Sequence, residues 1–184
     1  MNTYHHYLKI PVTFTPVFPD GRQVIAPYEK QLISKELISW LSSLDIGIGG
    51  AEVFHLRPND ADHLDHLPIH TDSNNFDNHV KMNFVYSDTP STMNWYTYRD
   101  QTLLENFTTP IGTGYITTAR DNCELVYSAE IGQPSLVNVG MLHDILPVTS
   151  PRWCFSFPLW QYEQRLTWDR AVNIFQNFII DNPN

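Results

Sequence analysis

Apolar residues along this chain repeat with two different periods, and the change of period organises it. Over 28–44, YEKQLISKELISWLSSL, the residues Leu32, Ile33, Leu37, Trp40, Leu41 and Leu44 recur three and four apart, which predicts an amphipathic helix. Gly47, Gly49 and Gly50 then stop it. Beyond Ala51 the helical period gives way to short β-branched and aromatic runs. These predict strands over 51–57, 79–87, 92–98, 113–118, 123–128, 135–139, 142–148 and 152–159. Turn-rich breaks such as SDTPS, TTPIGTG and VTSP separate several of them, and 58–65 reads as loop. Residues 5–18 are extended in character, interrupted by Pro11 and Pro16. A second helix is expected over 166–180, where Leu166, Ala171, Ile174, Phe175, Phe178 and Ile179 share a face. Short strands at this spacing point to a sandwich or barrel, not a doubly wound sheet. The expectation is one mainly β domain over 1–184, with a β core at about 50–160 and flanking helices at 28–44 and 166–180.

Composition narrows the partners. Lys and Arg number 11 against 20 Asp and Glu, a net charge of −9, which argues against binding a nucleic-acid backbone or an anionic membrane surface. No apolar run reaches the ~20 residues of a membrane helix. The first ten residues lack the charged and apolar regions of a signal peptide, and two cysteines, Cys123 and Cys154, form neither a disulfide framework nor a CxxC pair. A cytoplasmic protein is expected.

The chemistry lies in histidine beside carboxylate. No phosphate loop, dinucleotide turn, nucleophile elbow or cysteine-protease signature is present. Composition alone gives roughly half of one His-x-Asp by chance, yet the chain holds two, His63-Leu64-Asp65 and His70-Thr71-Asp72. The first lies in the polar run DADHLD and reads as solvated loop. The second follows Leu67-Pro68-Ile69, and residues two apart on an extended chain point to one side, so both could meet one metal. His143, heading the run His-Asp-Ile-Leu-Pro-Val, is the best third ligand; two histidines and a carboxylate make the facial triad of non-haem iron. Nine residues on, Arg152 opens the apolar strand RWCFSFPL, where an inward guanidinium needs an anion or a strong acceptor.

The constellation resembles the Fe(II)/2-oxoglutarate-dependent oxygenases, in the branches related to aspartyl/asparaginyl and prolyl hydroxylases. The pieces that carry the likeness are PIHTD at 68–72, LVNVGMLHDILPV at 136–148 and RWCFSF at 152–157, in the family's order. The likeness spans about 66–159. It implies a double-stranded β-helix, or jelly roll, with Fe(II) on the catalytic residues His70, Asp72 and His143. It also implies 2-oxoglutarate paired with Arg152, and O2 as oxidant in the hydroxylation of an unactivated C–H bond. The segment HVKMNFVYSDTPSTMNWY also looks like this family, and implies that Lys81 or Asn83, which share one strand face, touches the cosubstrate; Tyr86 on the other face competes for the role. Many members carry a hydroxyl residue two positions after the arginine; here Cys154 stands there and Ser156 follows. The implied substrate is an amino-acid or peptide side chain or a small metabolite, selected by loops at 58–66, 73–78 and 99–112.

Blander readings stand beside these. His70 and Asp72 alone could be a turn-stabilising pair, Arg152 an edge ion pair, and Lys81 a solvated strand residue. A cupin-type metalloprotein would keep the metal without 2-oxoglutarate. A β-sandwich binding module would instead expose Trp95, Tyr96 and Tyr98 as a ligand platform.

Overall fold

The computed structural model describes residues 2–19, 25–58, 69–109, 111–146 and 148–180. Its strands, numbered in chain order, form two sheets with antiparallel pairing throughout. The larger sheet runs Ile179–Ile180 (β15), His5–Leu8 (β1), Ser135–Asn138 (β11), Val80–Ser87 (β6), Arg152–Gln161 (β13), Glu52–Leu56 (β4) and Ile25–Pro27 (β2). Two short strands, Gly47–Ile48 (β3) and Gln164–Arg165 (β14), pair with β13. The smaller sheet runs Cys123–Ile131 (β10), Ser91–Tyr98 (β7), Leu142–Ile145 (β12), Ile69–His70 (β5), Gly114–Thr118 (β9) and Glu105–Thr108 (β8). The expected mainly β architecture with few helices is therefore present.

Both helices are shorter than their apolar periods. The first, Lys35–Ser42 (α1), begins after Ser34, whose side chain accepts from the Leu37 N–H at 3.3 Å, so the cap cuts the expected 28–44 stretch in two. Lys30–Leu32 ahead of it forms only a 3-10 turn. The second, Trp168–Phe175 (α2), buries Trp168, Ala171, Val172 and Phe175 at spacings of three, four and seven. The chain beyond it leaves the helix, and β15 pairs Ile179 with Leu8 and Ile180 with Tyr7. Backbone pairing with an edge strand thus takes residues that the helical pattern claimed.

The larger sheet has two unlike faces. On one, Val80, Met82 and Phe84 of β6 and Phe155, Phe157 and Leu159 of β13 join Leu37, Trp40 and Leu41 of α1 and Ala171, Val172 and Phe175 of α2 in the main core. Burying each large side chain stabilises the fold by about 1.5–3 kcal/mol relative to exposure. The other face, towards the smaller sheet, packs Val137 and Val85 against Met93 and Trp95 and also carries a polar row. Tyr7, Ser135, Asn83, Ser156 and Glu52 stand directly opposite one another across five strands, and all are buried. A polar row between two sheets is costly unless its groups find partners, and the candidate site lies over this row. Among the described residues, no helix is long and apolar enough to cross a membrane.

Candidate metal centre

Strand pairing brings His70 and His143 together. They are register partners on β5 and β12, with ring centroids 4.7 Å apart. Asp72 follows two residues after His70, where the chain leaves β5. Its backbone N–H donates to the Val139 carbonyl, while Thr71 is tied by its N–H to the Ile116 carbonyl, both at 2.9 Å. Gly140, before β12, lies so close to the Asp77 carbonyl that a Cβ there would overlap it. The segment after Asp72 can therefore pack directly on the turn leading to His143.

In this frame one oxygen of Asp72 faces both rings. Oδ1 lies 3.5 Å from His70 Nε2 and 3.5 Å from His143 Nε2, and one ligand atom from each of the three residues lies within 4.8 Å of the others. Among the described residues this is the cluster of His, Asp, Glu or Cys whose spacing suits a metal ion. The tautomer of His143 tests the fit. A carbonyl only accepts, so the 2.8 Å contact of Nδ1 with the Met141 oxygen puts the proton on Nδ1 and leaves a lone pair on Nε2. Burial lowers the His143 pKa to about 4, and Asp72 offsets only part of that, so the ring is neutral at neutral pH. A bare nitrogen lone pair then faces a carboxylate oxygen, an arrangement that a cation between them would relieve. The donor set of two imidazoles and one carboxylate suits iron.

The remaining oxygen of Asp72 is held from the larger sheet. Lys81 Nζ lies 2.8 Å from Asp72 Oδ2 and 2.5 Å from Glu52 Oε2, and Thr113 Oγ1 donates to Glu52 Oε1 at 3.0 Å. All three charged groups are buried. Burial alone would raise the Asp72 pKa, but the Lys81 ammonium reverses this and holds it well below the carboxylate range. Burial likewise disfavours the charged lysine, and the two carboxylates more than restore it, raising its pKa. Lys81 is therefore not the solvated strand residue of the bland reading: it neutralises two carboxylates, one of them in the triad.

Arg152, from the first position of β13, is 1% exposed. Its Nε donates to Ser91 Oγ at 2.7 Å, whereas Nη1 and Nη2 have no hydrogen-bond partner. The nearby Cys154 thiol does not meet that need, because a thiol is a weak acceptor and burial raises its pKa despite the guanidinium. The surface ion pair considered for Arg152 is thus excluded. Asn83 faces the same space, its Oδ1 accepting from Ser156 Oγ at 2.7 Å. Tyr86 does not: its hydroxyl donates to the Phe14 carbonyl on the helix-bearing side.

Other expectations resolve plainly. Trp95 and Tyr96 form no exposed platform. Trp95 is wholly buried, with Nε1 donating to the Asn138 carbonyl, and Tyr96 points from the opposite face to Asp144. Both cysteines are free and buried. His63, Asp65 and His66 lie outside the described residues. Sequence reasoning missed Glu52, Ser91 and Tyr115. Glu52 carried a faint signal, an acid alternating with Phe54 and Leu56 on one strand face; the other two carried none.

Acid lability follows from the buried histidines. His5 and His143 both have folded pKa values near 4 against an ordinary 6.5, chiefly through burial. The unfolded chain therefore takes up protons first as pH falls. The stability these groups confer is complete above 6.5 and lost towards 4, by roughly 3 kcal/mol each. Asp72 adds to acid loss only below the ordinary carboxylate range. Urea unfolding of metal-free protein should show a midpoint that drops steadily between pH 7 and 4.5, and a flat profile there would contradict the burial of both rings.

No family model, curated protein or solved structure matches the chain.

Proposed function

We propose that this chain is an Fe(II)- and 2-oxoglutarate-dependent oxygenase that hydroxylates an amino-acid or peptide side chain or a small metabolite. The observation that carries this reading is a fully buried guanidinium with two unpartnered nitrogens beside a His-Asp-His cluster in which Asp72 and His143 are buried and His70 is half-buried. Charge counting sharpens it. Asp72 and Glu52 are offset by Lys81 and Arg152, so the four buried groups sum to zero. A divalent metal adds two positive charges, and a dicarboxylate dianion returns the interior to neutrality. A metal bound alone would leave that excess in a low-dielectric space.

The strand order supports the jelly-roll expectation. Taking β4, β5, β6, β7, β9, β11, β12 and β13 as eight successive strands, the larger sheet reads sixth, third, eighth, first and the smaller reads fourth, seventh, second, fifth. Successive strands alternate between sheets except for the fourth and fifth, which both lie in the smaller sheet, and this order fits a double-stranded β-helix.

When bound, iron and 2-oxoglutarate supply O2-dependent oxidative decarboxylation coupled to hydroxylation of an unactivated C–H bond. The protein's part is binding and orientation. His70, Asp72 and His143 would hold the metal, with the Met141 carbonyl fixing one imidazole and Lys81 fixing the carboxylate. Arg152 offers two parallel donors to a carboxylate, with Ser91 setting the guanidinium plane. Asn83 and Ser156 line the floor between these ends. His70, 22% exposed on its side chain, marks the solvent side from which a substrate would approach. The free cysteines and the net charge of −9 fit a cytoplasmic enzyme that binds neither nucleic acid nor membrane.

Anaerobic titration with Fe(II), with and without 2-oxoglutarate, tests the reading. A weak visible charge-transfer band that needs both components is expected. It should be absent in His70→Ala and weakened in Arg152→Ala. Tight iron binding without the band would favour a cupin-type metalloprotein, and no iron binding would remove the enzyme reading altogether.

A further inference from the structure

Among the described residues the two sheets end in β15 and β2, and in β10 and β8. An edge strand offers a row of unpaired backbone groups unless something blunts it, and three of the four are blunted. β15 has only two residues, while β2 has three and contains Pro27. β10 shifts register at Val126 and carries Glu124 and Glu130. β8 lacks these protections. It pairs with β9 in unbroken register from Glu105↔Thr117 to Thr108↔Gly114, holds no proline, and is exposed over all four residues.

Hydrogen bonds on β9 identify the free groups of β8. The Ile116 N–H donates to the Ser73 carbonyl at 3.1 Å, and the Ile116 carbonyl accepts from Thr71, so both point away from β8. Its neighbours Tyr115 and Thr117 therefore face β8 and bond to Phe107 and Glu105. Thr109, donating to the Thr113 carbonyl at 2.8 Å, continues that set. The alternate residues, Asn106 and Thr108, direct N–H and C=O outward, and among the described residues neither meets a backbone partner there. Between them Phe107 is 49% exposed, on the face it shares with its register partner Tyr115.

We propose that the protein forms a twofold dimer in which β8 pairs antiparallel with β8 of a second copy, centred on Phe107. This edge complements itself. A twofold axis through Phe107 sets Asn106 against Thr108 and Thr108 against Asn106, so every outward group is used in four N–H···O bonds. The two Phe107 side chains form the non-hydrogen-bonded pair, where strands approach most closely. Charge fits as well. Glu105 falls opposite Thr109 and not opposite its own copy, so a chain of net charge −9 meets itself without a like-charged pair on the strand. Four bonds correspond to roughly 400–800 Å² of interface, below the about 1,200 Å² of stable complexes. The dimer is therefore reversible and follows protein concentration.

Sedimentation equilibrium of the full chain over about a hundredfold range of concentration tests the dimer, with amide hydrogen exchange at both ends of that range. The expected result is a monomer–dimer equilibrium in which the Asn106 and Thr108 amides gain protection as the dimer fills. Asn106→Pro removes an outward N–H and spares the β8–β9 ladder. Symmetry deletes two of the four bonds, so dimer affinity should fall about tenfold. Phe107→Lys sets like charges opposite at the centre and should weaken the dimer at least as much. Leu125→Lys, at a 55% exposed position on β10, should leave it unchanged. Wild-type protein that stays monomeric throughout overturns the proposal and leaves the edge to an extended peptide. A dimer whose Asn106 and Thr108 amides stay unprotected also overturns it, whether or not the variants fold. So does a dimer weakened by Leu125→Lys and not by Phe107→Lys.

Discussion

Lys81→Met is expected to destabilise the metal-free protein by roughly 3–5 kcal/mol, the usual cost of stranding a buried charge by removing its partner. Lys81 serves two carboxylates at once, Asp72 at 2.8 Å and Glu52 at 2.5 Å, so both are left uncompensated. Methionine fills similar space, which limits the packing loss. A stability change of that size is a large share of the 5–15 kcal/mol typical of a domain, and urea unfolding would resolve it. The second half of the prediction concerns metal. With the ammonium gone, a divalent cation becomes the remaining counter-charge for Asp72, so Mn(II) should raise the midpoint of the variant by more than that of wild type. An unaltered midpoint in metal-free Lys81→Met would mean that the buried ion-pair network does not exist in solution.

Asp72→Asn should have the largest effect on metal affinity. Asparagine preserves shape but removes the anionic oxygen that faces both imidazoles at 3.5 Å. Disturbing residues that merely orient ligands costs 10–100-fold in metal affinity, so loss of the charged ligand itself should exceed a hundredfold. The effect on the fold should be smaller than for Lys81→Met, because Lys81 retains Glu52. Calorimetric titration with Mn(II) separates the two variants: one binds metal but unfolds easily, the other folds but does not bind. Retention of wild-type Mn(II) affinity in Asp72→Asn would mean that the three side chains are not a metal centre.

Much of the site was legible because its motifs are local or consist of chemically rare combinations. His70 and Asp72 are two residues apart in an extended segment, and the spacing alone puts them on one side. Arg152 at the head of an apolar strand raised the question of its partner, and burial with two unpaired nitrogens answers where it lies. Glu52 was not legible as a partner of Lys81, because 29 positions separate them in the chain and only the joint pairing of β4 and β6 with β13 brings them together. Ser91 was hidden for the same reason: it reaches Arg152 across the gap between sheets, which no pattern within one strand encodes. Ser91 thus offers the guanidinium a hydroxyl acceptor from another strand, which Cys154 on its own strand does not.

The elements followed the same division. Runs of β-branched and aromatic residues between turn residues located eight strands of the β core, β4, β6, β7 and β9 to β13, since strand-forming and turn-forming residue types act within one segment. Residue type and local spacing also determined which side chains could bind a metal. The short strands were decided by tertiary structure: β5 has two residues and exists because β12 and β9 flank it, and β15 takes chain that would otherwise extend α2. Tertiary structure alone also decided that Lys81 faces inward between two carboxylates and that the Tyr115 hydroxyl is buried without a partner. Local free energy depends on neighbouring residues and can be read from a segment. Pairing, burial and charge compensation depend on segments far apart in the chain, and they acquire values only when the sheets close over one another.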